Sequence, residues 1–427
     1  MSFTSSESLV RSRWGDVAVV SAAQFLGGLA TFLVMVAQVL LLQQKGASGI
    51  EVSALVIAEA LPLVVLGKLV GWLVDRVDSR VLLVVAGLGQ ALSCVALGFA
   101  TERNAIIGGV LALSVCTAVT NPTRQALLPG LVVRDDLARA SAIGQTAGSI
   151  GMMAGPALAG VLVGGVGPQW TSWVGAACFL ATVATAFAIR TRRGGARSSV
   201  TATEPAGVAT PQAPPAVPVR AWRLSDDALL RVCTWGLTGV MMAASAVNVV
   251  LVFFVMGTLQ SSPEVYGVID GMWMVGMLVG AWLVGLTVRA MTSDGALAGR
   301  AMIAAAAVCA AFVGVGAVHE AWWIVPCYLV GGVANAAINV LCATLLGRRV
   351  PAQARGAANA AVGMRVQAGA LVGYVLGGVV LTVAAPRSVL LACGIVGLLV
   401  AVALLPRVMR AGHVDPARGD GEPVPAA

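Results

Sequence analysis

Charge is scarce in this chain: Asp, Glu, Lys and Arg together make 11% of its 427 residues. Soluble proteins of ordinary composition carry about a quarter, so a water-soluble globular fold is excluded. Histidine is almost missing, with His319 and His413 far apart, and the eight cysteines show no CxxC spacing. Neither pattern supplies the clustered ligands of a metal or catalytic centre. No GxxxxGK[ST] loop occurs, which leaves no phosphate cradle for ATP, and no cofactor is expected. Aromatics are only 5%, and the basic residues form no stripe interleaved with them, which argues against a nucleic-acid partner.

What the chain has instead is apolar length. Hydrophobic residues reach 58% and fall into twelve runs, at 17–42, 52–74, 81–100, 105–127, 141–165, 171–189, 229–256, 265–288, 298–317, 322–345, 357–383 and 388–405. Each is about 20 residues long, enough to cross a hydrocarbon core of about 30 Å as a helix. An all-α membrane protein of twelve transmembrane helices is expected, with six spans on each side of a polar interruption. The divisions are a cytoplasmic N-terminus (1–16), a first six-helix bundle (17–189), a linker (190–227), a second bundle (228–406) and a disordered tail (407–427). The first span is too long for a leader h-region and follows a polar stretch containing Arg11 and Arg13.

The net charge of +8 reads as topology. With the N-terminus inside, 22 of the 27 basic residues fall in inner segments, against Lys45, Arg103 and Arg387 in outer loops. The positive-inside rule then puts both termini and the linker in the cytoplasm. The Pro, Ala and Thr-rich linker around Pro205 to Pro218 carries nothing to build a core and reads as a tether.

The second half repeats the first. Gly67 and Arg76 at the end of the second span reappear 213 residues later as Gly280 and Arg289 in the eighth, and Ala154-Gly155 in the fifth is matched by Ala368-Gly369 in the eleventh. Such internal duplication marks transporters built from two bundles with a site between them.

Gly67, Gly71 and Asp75 are spaced four apart, and Arg76, Asp78 and Arg80 follow before the third span. Here the chain resembles the major facilitator superfamily, whose signature between its second and third helices fits Gly71 to Arg80 except at Asp78 and Ser79. The resemblance implies that Asp75 caps the facing eleventh helix and stabilises the outward-facing state. Asn121 to Pro129, including Arg124, followed by Gly151, Gly155-Pro156 and Gly160, resembles the superfamily's branch of macrolide-efflux and enterobactin-exporter-like proteins. Gly155-Pro156 also resembles its antiporter motif, whose glycine face packs against the opposite bundle; small residues permit such approach and Pro156 can bend the helix. Many proton-coupled members carry an arginine in the middle of the fourth helix, and residues 105–120 have none.

Ionisable groups inside a span are costly and so are functional candidates. Glu59 lies about 12 Å inside Glu51, and Arg365 about 15 Å beyond Arg355. Both depths fall near the midplane, so Glu59 and Arg365 are expected to pair in one conformation and separate in another. Asp270 is a second buried carboxylate, about 9 Å deep. A carboxylate whose partner comes and goes can take up and release protons. Asn248, Asn335, Asn339 and Gln24 line the pathway or bridge helices. Met242, Phe253, Met272, Trp273 and Met277 form an adaptable pocket for apolar ligands or serve as core filling.

The expected protein is therefore a monomeric, multi-pass transporter of a bacterial plasma (inner) membrane. It is not an enzyme, and it exchanges small amphipathic molecules for protons. An exporter of one metabolite such as a siderophore, an importer or lipid transporter of the same fold, and a non-transporting sensor remain open.

Overall fold

A computed structural model describes residues 12–127, 131–188, 227–288, 293–351 and 354–411. The expected tether at 190–227, apart from Asp227, and most of the tail lie outside these, as does Arg289. The described residues form helices joined by short loops, with no strand among them.

The first bundle comprises α1 (Trp14–Gln44), α2 (Gly49–Val65), α3 (Gly67–Arg76), α4 (Ser79–Phe99), α5 (Arg103–Leu127), α6 (Leu137–Gly165) and α7 (Pro168–Ala188). The second comprises α8 (Ala228–Val252), α9 (Pro263–Thr287), α10 (Asp294–Ala317), α11 (Ile324–Arg349), α12 (Arg355–Val380) and α13 (Pro386–Ala411). Eleven helices among the described residues are long and apolar enough to cross a membrane. The second span is the exception, because it breaks at Leu66 into α2 and α3. Pro62 lacks a donor and its ring crowds the preceding turn, and Gly67 follows the break directly. A second irregularity continues α8 as one π turn, Phe253–Thr258.

Polar residues punctuate the helix ends. Ser48 and Glu51 form a reciprocal capping box on α2, Asp227 caps α8 through the Leu229 and Leu230 amides, and Ser293 caps α10. Between the caps the outer faces stay apolar, and Leu92, Phe99 and Leu399 are each more than 60% exposed. Water would penalise such a surface and lipid does not.

The helices pack alike in both halves. α1 against α6 corresponds to α8 against α12, α2 against α5 to α9 against α11, α4 against α5 to α10 against α11, and α4 against α7 to α10 against α13. The bundles meet through the α6/α9 and α2/α12 pairs, which exchange under the same pseudo-twofold relation. The start of α1, the end of α13, the α3–α4 turn and the start of α6 share one face, here called the termini side; the α1–α2 and α6–α7 loops mark the far side.

Candidate functional site

The seam between the bundles is tight on the far side. A Cβ on Gly160 of α6 would come within 2.5 Å of the Pro263 carbonyl oxygen and 3.1 Å of Gly267 Cα, and one on Gly267 would overlap the Pro156 carbonyl. At the second seam a Cβ on Gly49 would lie 2.8 Å from the Gly378 carbonyl, and Ser53 Oγ donates to the Tyr374 carbonyl at 2.6 Å. Backbone lies on backbone at both seams, which only glycine allows. On the termini side the situation reverses, because Cβ atoms on Gly67 and Gly71 of α3 and on Gly356 and Gly363 of α12 would meet nothing within 4 Å. The molecule is closed at the far side and parted at the termini side.

Two carboxylates approach from opposite bundles just inside the closed seam. Glu59 on α2 and Asp270 on α9 are close enough for their charges to interact, and each is half-buried. They lie about 15 and 10 Å inside the far-side ends of their helices. Among the described residues neither makes an ion pair. Tyr374 of α12 lies in electrostatic reach of Glu59, its hydroxyl within hydrogen-bonding reach of Ser245 and Asn248 on α8. Tyr266 of α9 and Tyr328 of α11 lie in electrostatic reach of Asp270. Both tyrosines are buried, and the Tyr328 hydroxyl has no hydrogen-bond partner. These three are all the tyrosines the chain possesses. Sequence reasoning missed the cluster, although the rarity of tyrosine was a usable signal.

Other expectations meet a different arrangement. In this conformation Arg365 is apart from Glu59: it is exposed, and its Nη1 donates to Ala361 O one turn back on α12 at 3.3 Å. The charge that faces Glu59 across the seam is the carboxylate of Asp270. Asn339 Nδ2 donates to Asn335 O at 3.0 Å and Oδ1 at 3.2 Å, a bond within one turn of α11 that bridges no helices. The glycines of α6 do not form a single face against the opposite bundle. Gly151 and Gly155 abut Phe25, Leu29 and Phe32 of α1, while Gly160 and Gly164 meet α9. The reason is helical phase, since α6 lies between two neighbours and must be thin toward each.

The motif after α2 likewise works within its own bundle. Arg80 donates from Nε to Ala186 O at 3.1 Å and from Nη2 to Phe187 O at 3.2 Å, tying α4 to the end of α7. Asp78 caps α4 through the Arg80 amide at 2.8 Å. Arg76 lies over the Trp72 ring at 4.6 Å. The Asp75 side chain lies outside the described set, and Gly67 and Gly71 do not touch α12.

The methionine and aromatic residues do not gather into one pocket. Trp273 stacks on Phe312 at 5.8 Å and meets Tyr328 edge-on at 5.4 Å, inside the second bundle. Phe253 and Met272 pack on the same core, and Met277 is half-buried on α9. Met242 lines a separate apolar cavity of about 380 Å³ among α8, α10, α12 and α13. Gln24 and Arg124 both line a polar cavity of about 580 Å³ in the termini-side half of the first bundle, between α1, α5 and α6.

Paired bundles, a seam closed on one side only and ionisable groups at that seam define a membrane transporter of the alternating-access class. The chain belongs to the Major Facilitator Superfamily, whose family profile matches residues 20–237 and again 233–427. A search of curated protein sequences finds no match. Among solved structures, the chain resembles a bacterial homologue of the human lysosomal transporter Spinster in its inward-facing, unoccupied conformation. That match has a TM-score of 0.67 and 13% identity, over 94% of this chain and 97% of that one. It resembles the nucleoside transporter NupG with a TM-score of 0.70 and 13% identity, over 92% and 98%. At such identities the likeness is one of fold. The chain is a multi-pass membrane transporter and not an enzyme.

Proposed function

We propose that the chain is a proton-coupled exporter of small amphipathic molecules, working as a monomer in a bacterial plasma membrane with both termini in the cytoplasm. The observation that carries this reading is that Glu59 and Asp270, from opposite bundles, lie within electrostatic reach of each other. Two ionised carboxylates in that position repel, and a proton on either removes the repulsion. Far-side closure is thereby tied to proton uptake. Both carboxylates are half-buried, and in this reading their protons leave toward the parted termini side once the far side has shut. A carrier that loads protons outside and releases them inside drives its cargo outward on the return stroke. The positive-inside bias supports the orientation, and the resemblance at Asn121–Gly164 favours efflux over uptake. Tyr266 and Tyr328 lie in electrostatic reach of Asp270 and Tyr374 in reach of Glu59, so the three phenols line the surroundings of the carboxyl pair, and Ser245 and Asn248 steady Tyr374.

The test uses full-length protein in liposomes with an imposed pH gradient, following lipophilic dyes and internal pH together. Dye movement with matching proton flux is the expected result. Glu59→Gln and Asp270→Asn each abolish gradient-driven movement while leaving insertion intact; normal gradient-driven transport in both variants would sink the proposal.

A further inference from the structure

The polar cavity of the first bundle contains two side chains whose bonding capacity is unspent. Arg124 on α5 is only 6% exposed, and among the described residues its guanidinium has neither an ion-pair nor a hydrogen-bond partner. Gln24 Oε1 on α1 is buried and unpartnered in the same cavity. Both positions are built. A Cβ on Gly27 would come within 2.6 Å of Arg124 Nη1, and one on Gly144 within 2.5 Å of Gln24 Oε1, so each glycine leaves the room its polar neighbour occupies. Asn121, Gln125 and Gln145 continue the polar lining and are exposed, which marks the mouth of the cavity on the parted side.

An unpaired buried charge costs several kcal/mol, and a membrane protein retains one where function uses it. A guanidinium is a planar fork that matches the oxygens of a carboxylate, sulfonate or phosphate and grips them more strongly than neutral groups do. A cavity of about 580 Å³ is also the size of a site for a drug-sized ligand. We infer that Arg124 and Gln24 form an anion subsite, so that the transported molecules are amphipathic anions whose acidic head group lies on Arg124. Gln24 Oε1 accepts a hydrogen bond from a donor beside that head group. The inference rests on the transporter reading for the meaning of cargo, and its test needs no transport.

Binding to purified full-length protein is measured for anilinonaphthalene sulfonate and for phenylnaphthylamine, which has the same ring system without the sulfonate. In wild-type protein the sulfonate is preferred. In Arg124→Gln the sulfonate-to-neutral affinity ratio falls about tenfold, the scale of one charge-assisted pair. In Arg124→Lys it falls less, because a point charge replaces the fork. The unliganded thermal midpoint of Arg124→Gln equals or exceeds that of wild type, as expected for removal of an uncompensated charge. An unchanged ratio in Arg124→Gln overturns the inference, as does a lowered midpoint with an unchanged ratio, which would mark the arginine as structural. If Arg124→Gln does not fold, Arg124→Lys reads the same ratio, and no change in it also overturns the inference. Should the ratio respond while dye transport fails in liposomes, the transport reading falls and the anion subsite stands.

Discussion

Arg349 joins three helices with one guanidinium. Its Nε meets Asp227 at 2.6 Å before α8, its Nη1 meets Asp294 at 3.2 Å in the first turn of α10, and the arginine itself ends α11. Its side chain is 12% exposed and that of Asp227 is 13%, so water screens the pair poorly. Arg349→Ala strands Asp227 and leaves Asp294 to Arg348 alone, and is expected to cost about 2–4 kcal/mol, seen as a lowered thermal midpoint of the purified protein, while Arg103→Ala, which breaks the more exposed pair with Glu51 and keeps the α2 capping box, costs under about 1 kcal/mol. At this scale the sequence shows which residues are unusual and hides their company. Glu59, Asp270 and Arg365 stand out because they interrupt apolar runs. That Glu59 faces a second carboxylate instead of Arg365 depends on which sides of α2, α9 and α12 meet. Depth along a helix is countable from sequence; direction around it, across a fold, is not.

Among the elements, the apolar runs predict the spans well because lipid imposes a length on every one of them. Local breaks are harder to see. Pro62 sits within a run that hydropathy alone treats as continuous, and the π turn after Val252 has no composition that distinguishes it from helix. The glycines of α6 were visible, yet their division between α1 and α9 was not, since it needs the positions of both neighbours. That division has a consequence for the seam. Gly160→Leu cannot coexist with Pro263 O and Gly267 Cα at their present separations, so it holds α6 away from α9. With Ser53→Cys as a reporter on the second seam, where Ser53 is 4% exposed, a membrane-impermeant maleimide applied from the far side reacts several-fold faster in the Gly160→Leu background. Equal reaction rates would mean that the two seams open independently.

For the molecule as a whole, two bundles related by duplication were readable from the recurrence of Gly67 and Arg76 at Gly280 and Arg289, and the positive-inside bias suggested how they lie. Which side is open was not readable, because one sequence serves both states. If the carboxylates at the seam set the balance, raising pH ionises both, parts the far side and brings the termini side together. Spin labels on Gly71→Cys of α3 and Gly363→Cys of α12 then move closer as pH rises. In the Glu59→Gln, Asp270→Asn double variant the distance stays long at every pH, and a wild-type distance that ignores pH would remove the carboxylates from control of the switch.

The glycine-on-backbone seams bear on tightness against ions. Contacts of this kind draw on dispersion, of which a gap of about 0.5–1 Å already forfeits a quarter to a half, and Gly160 and Gly267 bring no long side chain that could stretch across the gap. Partial opening therefore gives up a large share of the contact energy and gains no bridging contacts in return, so the far-side barrier favours being either shut or fully released. A membrane holding a proton gradient needs that property, since a half-open carrier would short-circuit the gradient that drives it.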